Sequence, residues 1–169
     1  DTKNTVFISK VLDDYPEKNI KYCVENAYDK KFNSDDITPL VKVGNDYILE
    51  LFHGPTSAFK DMALSILPYL STEALKLNKI KEKILILTAT SGDTGKAALE
   101  GFKNIEGIKI LVFFPNDGVS KVQEKQMITQ EGNNTYVYAI NGNFDDAQSE
   151  VKKIFTDEEI KEKLKKKNY

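Results

Sequence analysis

Lys60, near the end of His53-Gly-Pro-Thr-Ser-Ala-Phe-Lys-Asp61, is the residue best placed for covalent chemistry in this chain. Gly54-Pro55 marks a tight turn, after which the pairs Ala58/Phe59, Met62/Ala63 and Ile66/Leu67 step by four and predict a helix from Ala58 with one buried stripe. Lys60 falls off that stripe in the first turn, where the positive end of the helix dipole disfavours an ammonium; partial burial beside Phe59 would act the same way. A free amine is what Schiff-base chemistry with an aldehyde requires. Position alone still favours a plainer alternative, a solvated helix lysine paired with Asp61 or another acid.

Thr90-Ser91-Gly92-Asp93-Thr94-Gly95 is the second candidate, set between a buried strand and a helix. Small residues there let backbone N–H groups converge at a helix start, where they attract a carboxylate or phosphate, and the hydroxyls add donors without bulk. A tight strand-to-helix connection whose glycines serve only geometry is the open alternative. Gly92 to Lys96 is not a nucleotide P-loop, because two residues rather than four separate its glycines and Ala97 follows the lysine. His53 is the only histidine. With no second histidine and no clustered cysteines a metal site has little support, and His53 reads as a turn residue positioning the lysine rather than as a base.

Such residues need a scaffold, and 169 residues with 40% hydrophobic and 30% charged side chains can bury a core. A net charge of −2 excludes a broad basic footprint for nucleic acid or an anionic membrane, so any anion must meet a local site. The single cysteine, Cys23, excludes an internal disulfide and fits a reducing compartment, and no apolar run reaches spanning or signal length, so a cytoplasmic protein is expected. The opening at Asp1-Thr2-Lys3 and the basic end from Lys161 to Tyr169 suggest a piece of something longer.

In order, Asp14-Tyr15-Pro16-Glu17 opens a helix whose stripe is Ile20, Cys23, Val24, Ala27 and Tyr28. Cys23 on that stripe is a structural thiol. Leu40–Val43 and Tyr47–Phe52 flank Gly44-Asn45-Asp46 as a hairpin. Pro68 should kink or break the lysine helix, with Ser71-Thr72-Glu73 restarting it. Ile84 to Thr90 reads as a strand covered on both faces, hence a parallel sheet. Its helix carries Ala97, Ala98, Gly101 and Phe102; strand Ile108–Phe114 precedes a helix from Ser120 with Gln123 completing a capping box; strand Thr135–Ile140 precedes a helix with Ala147, Val151, Ile154 and Phe155 inward. Three strand–helix units make an α/β protein. A last helix from Thr156-Asp157-Glu158-Glu159 buries only Ile160 and Leu164.

Taken together, Leu49 to Asp61, Leu87 to Gly95, Val122-Gln-Glu-Lys-Gln-Met127 and Gly142-Asn-Phe-Asp-Asp-Ala-Gln148 resemble, in order, segments of the threonine synthase family of pyridoxal-phosphate enzymes. The likeness runs from about Leu40 to about Phe155. It implies a small parallel sheet flanked by helices in three layers, the small domain of fold-type II enzymes, behind an N-terminal helix and β-hairpin segment. Residues 1–77 would form part of a larger domain and 78–169 the small α/β domain. Lys60 would hold pyridoxal 5'-phosphate through its amine and, once displaced, shuttle protons at the α, β and γ carbons, with Phe59 packed near the ring. Thr90, Ser91, Gly92, Asp93 and Thr94 would grip the substrate carboxylate, Asp93 also lying near the cofactor's 3-hydroxyl. The implied substrate is O-phospho-L-homoserine, converted with water to L-threonine and phosphate, with no metal.

The family's phosphate-binding glycine loop, its pyridine-nitrogen partner and its substrate-phosphate segment have no counterpart in these residues, so the 169 residues alone are expected to be inactive. Their missing partner would be the remainder of the same polypeptide, and an apolar flank left open would favour self-association. Two alternatives stand beside this reading: a non-catalytic α/β anion-binding module using Ser91 to Gly95, and a sibling enzyme that dehydrates threonine or serine, which the lysine segment and Asp93 disfavour.

Overall fold

The apolar spacing of residues 17–28 and 61–77 and the strand–turn–helix rhythm after residue 83 each build a separate core. The computed structural model describes residues 2–28 and 30–169 and divides into two compact units, Asp1–Ile80 and Lys81–Tyr169. Asp1, where the expected N-terminal segment opens, lies outside the described residues.

In the first unit α1 (Thr2–Ser9) and α2 (Glu17–Tyr28) precede a hairpin of β1 (Leu40–Val43) and β2 (Asp46–Leu49), followed by α3 (Asp61–Leu77). Ile20, Cys23, Val24 and Ala27 are buried along one face of α2 and pack with Ile66 of α3. The phenols of Tyr15 and Tyr28 fasten the pair by donating to the carbonyls of Leu70 (3.0 Å) and Met62 (2.8 Å). Burial, and then the Glu73 carboxylate, push the Cys23 thiol up to about 11, so it is a protonated packing group at neutral pH.

Three expectations for this unit need correction. Pro68 does not divide α3: the helix runs unbroken from Asp61 to Leu77 with Pro68 buried inside it. Proline removes one i→i−4 bond, and tertiary burial of the surrounding turns outweighs that loss. The stripe from Ala58 is also misplaced, since Phe59 and Leu67 are exposed while Asp61, Ser65 and Ile66 are buried. Spacing identifies an apolar face, but packing against α2 covers only part of it, Ile66 included. The second strand ends at Leu49 rather than Phe52; its register pairs Leu40 with Leu49 and Val43 with Asp46, closed through Gly44 at φ 62°.

The second unit is a three-stranded parallel sheet in the order β3-β4-β5, from β3 (Ile84–Ala89), β4 (Ile108–Pro115) and β5 (Thr135–Ile140). Around it lie α4 (Asp93–Phe102), α5 (Lys121–Ile128), α6 (Phe144–Thr156) and α7 (Glu158–Lys166). β4, paired on both edges, buries Ile108, Ile110, Val112 and Phe114, whereas β3 is an edge strand whose residues are only half-buried. Residues 84–89, expected to be covered on both faces, are thus only half-buried, because neighbours rather than hydrophobicity decide how far a strand is covered. Phe155 faces outward at the end of α6, and Ile160 and Leu164 of α7 are half-buried.

Asn134 organises the turn after α4. Buried before β5, it donates to the carbonyls of Phe102 (2.9 Å) and Ile108 (3.0 Å), and its oxygen accepts from the Asn104 N–H at 2.7 Å. Glu100 on α4 accepts from Lys103 (2.8 Å) and Gln130 (3.0 Å). Burial works against its charge, but those hydrogen bonds and the charges of Lys103 and Lys96 prevail and hold its pKa below the ordinary 4.5. A depressed carboxyl pKa stabilises the fold above the unfolded value and loses that contribution as pH falls through the folded one. Glu100→Gln should therefore lower the unfolding midpoint at pH 7, and the gap from the parent protein should close below about pH 4 in parallel thermal melts.

Candidate active site

The lysine turn is built from its own short-range bonds. Gly54 C=O accepts from Ser57 N–H at 3.0 Å, closing a turn over Pro55-Thr56. Ser57 then takes φ 57°, a left-handed conformation that costs a non-glycine residue about 1 kcal/mol. What holds it is Asp61, only 2% exposed: its two carboxylate oxygens accept from Thr56 N–H (2.8 Å) and Thr56 Oγ1 (2.6 Å). Gly54 is required beneath this clasp, since a Cβ there would come within 2.5 Å of Asp61 Cβ.

Ala58 and Phe59 pass into α3 through i→i+3 bonds to Asp61 N–H (3.0 Å) and Met62 N–H (3.3 Å), and only at Lys60 does the i→i+4 pattern begin, with Leu64 N–H at 3.0 Å. Lys60 is thus the residue before the first helical turn, at φ −64° and ψ −21°, rather than inside it. Its Nζ lies 4.3 Å from the centre of the Phe59 ring. Among the described residues it meets no carboxylate, and Asp61, one of the acids the plainer reading offered it, is committed to Thr56. His53 is clasped on both ring nitrogens, Nδ1 at 2.7 Å from Asn33 Oδ1 and Nε2 at 2.7 Å from Glu50 Oε2, while its carbonyl accepts from Asn33 N–H at 3.0 Å. This is the bonding of a residue that positions the turn.

In the second unit Thr90, 2% exposed, ends β3 and folds its hydroxyl under the turn. Its Oγ1 accepts from Gly92 N–H (3.2 Å) and Gly95 N–H (3.0 Å) and donates to Gly92 C=O (3.1 Å). Thr90 therefore shapes the turn and offers no free side-chain donor. Ser91 and Asp93 are exposed, and Gly92 and Thr94 half-buried. Among the described residues the N–H groups of Asp93 and Thr94 meet no acceptor, so they open outward at the start of α4. Asp93 Oδ1 accepts from Gln123 Nε2 at 2.7 Å.

No protein-family model matches the chain. Threonine synthase from Pseudomonas aeruginosa is 44% identical over 143 residues, covering 84% of this chain and 30% of that protein. The crystal structure of threonine synthase from Brucella melitensis with bound pyridoxal phosphate superposes with a TM-score of 0.77 at 42% identity, covering 85% of this chain and 31% of that one. The chain is a relative of the threonine synthases. The yeast threonine synthase structure gives a TM-score of 0.79 at 35% identity over 88% of this chain. This threonine-synthase-like chain spans between 20% and 31% of the length of the curated relatives it matches.

Within it, the resemblance picked out Lys60, Phe59 and residues 90–94, and the structure joins Lys60 to Phe59 in one turn and 90–94 in another. It adds Thr56, Asp61 and Gln123, which periodicity could not find because their roles are contacts between side chains. Asp61→Ala should destabilise the protein by about 2–3 kcal/mol, as two bonds to a buried charge are lost. Asp61→Asn, able to keep one acceptor but placing an NH2 against a donor, should fall between; chemical denaturation of both variants reads this out. Equal stability of Asp61→Ala and the parent protein would remove Asp61 from the role of clasp.

Proposed function

We propose that these residues furnish the cofactor-lysine turn and the substrate-carboxylate turn of a threonine synthase, a pyridoxal-phosphate-dependent lyase acting on O-phospho-L-homoserine. Identity of 42% to a threonine synthase solved with pyridoxal phosphate, over a stretch that includes both turns, carries the reading. The residues present suit that cofactor: an amine that among the described residues has no ion-pair partner, beside an aromatic face, on a turn already clasped by Asp61. Pyridoxal phosphate, when bound, supplies an aldehyde for an amine and an electron sink for a carbanion.

The chain's own share is placement. Lys60 Nζ would hold the cofactor and, when freed, would move protons at the substrate's α, β and γ carbons as phosphate leaves Cγ and water adds at Cβ. Phe59 would lie near the ring. The open N–H groups of Asp93 and Thr94, with the Ser91 and Thr94 hydroxyls, take the substrate carboxylate at a helix start beside Gly92, whose own N–H is tied to Thr90 Oγ1. Thr90 keeps those groups convergent. Residues 1–77 then belong to a larger domain and 78–169 form the small α/β domain, and activity resides in the complete protein.

The test is the complete protein supplied with pyridoxal phosphate and O-phospho-L-homoserine. Release of one phosphate per L-threonine formed, together with borohydride fixing of the cofactor on Lys60, is the expected result. A complete protein that releases no phosphate would sink the reading; one that instead deaminates threonine or serine would transfer it to a dehydratase.

A further inference from the structure

Gln123 stands 30 residues from Asp93 in sequence, yet its side chain closes over the turn. Its Oε1 faces Ser120, 3.0 Å from Oγ and 3.4 Å from the N–H, while Ser120 Oγ accepts from Gln123 N–H at 3.2 Å, the reciprocal bonds of a capping box at the start of α5. With the amide oxygen so committed, its NH2 end must turn outward, and it meets Asp93 Oδ1 at 2.7 Å. The amide lies directly on the turn: a Cβ on Gly92 would come within 2.8 Å of Gln123 Nε2.

Asp93 poses a problem that this bond answers. It is the first residue of α4, so its own carboxylate stands at the same helix start as the open N–H groups of residues 93 and 94. An aspartate at a helix start readily folds back onto such groups, where the dipole also favours it. Left free, it would occupy and repel the carboxylate of an incoming amino acid. We propose that Gln123 is a positioning residue that holds the Asp93 carboxylate against α5 and so keeps the N–H groups of the turn available to the substrate carboxylate. This deepens the proposed function and rests on it.

Calorimetric titration of the complete protein with L-threonine tests the inference at equilibrium, without turnover. Gln123→Met keeps length and leaves the backbone bond to Ser120 Oγ, so α5 stays capped; it should weaken L-threonine about tenfold and raise KM for O-phospho-L-homoserine with kcat changed far less. Gln123→Glu keeps acceptors for Ser120 but sets a second carboxylate against Asp93, and should weaken binding at least as much. The decisive variant is Gln123→Met/Asp93→Asn, which removes the charge and keeps a polar group at position 93. Removing the freed carboxylate should restore most of the L-threonine affinity, which a merely structural role for Gln123 could not produce. Parent-like affinity in both single variants, or no recovery in the double variant, overturns the inference. A parent protein that neither binds L-threonine nor releases phosphate overturns instead the functional reading beneath it.

Discussion

Lys60→Ala in the complete protein is expected to reduce phosphate release from O-phospho-L-homoserine by on the order of 10³-fold or more, because one group both holds the cofactor and moves protons. The fold should hardly notice. Lys60 is half-buried, makes its contact with the exposed Phe59 ring, and meets no carboxylate among the described residues, so its removal breaks no ion pair. Melting midpoints of parent and variant should therefore agree while activity separates them. Lys60→Arg keeps the charge over Phe59 but offers no nucleophile near neutral pH, and should be as inactive as alanine. Small primary amines added to Lys60→Ala should restore a measurable fraction of turnover by supplying a proton carrier. Activity retained by either variant would leave the reading without its central residue.

Gly95→Ala is expected to destabilise the protein by about 1–3 kcal/mol, the range for overpacking a closed site. The sign is informative, since alanine inside an exposed helix would stabilise by about 1 kcal/mol. At Gly95 the added Cβ would stand 2.4 Å from Thr90 Cγ2, 2.8 Å from Met127 Sδ and 3.0 Å from Val112 Cγ1. Met127 can shift, but Val112 belongs to the central strand and Thr90 is tied by its hydroxyl to two N–H groups of the turn. Thr90→Ser removes the offending methyl and keeps the hydroxyl. Gly95→Ala/Thr90→Ser should therefore recover part of the loss, a coupling that a double-mutant cycle by chemical denaturation measures directly. The same clash would push Thr90 from beneath the turn, so Gly95→Ala should also raise KM for O-phospho-L-homoserine. A Gly95→Ala protein as stable as its parent would mean that the contacts at Thr90 and Val112 yield freely.

Much of the scaffold was legible before any coordinates. The alternation of β-formers, small-residue turns and helical stripes after residue 83 specified three parallel strand–helix units, and Ser120 with Gln123 specified a capping box, because these depend on neighbours within four residues. The α2 stripe of Ile20, Cys23, Val24 and Ala27 came out buried for the same reason. Where reading failed, a longer-range competitor prevailed. Pro68 stays helical because tertiary burial outweighs one lost bond, β3 is only half-buried because an apolar run does not supply its own covering neighbours, and Phe59, Leu67 and Phe155 are exposed because apolar character does not say which face finds a partner.

The chemistry divides along the same line. By itself the sequence determined which residue types stand where: an amine after a glycine–proline turn, and small residues between strand and helix, in an order that resembles one enzyme family. Only the tertiary structure decided what those groups are free to do. It committed Asp61 to Thr56, so that Lys60 is left without one of the acids that would have made it an ordinary surface lysine. It folded the Thr90 hydroxyl beneath its turn and brought Gln123 onto Asp93. Residue identity sets which bonds a group can make, whereas packing sets which of them are already taken, and a reactive site consists of the bonds left open.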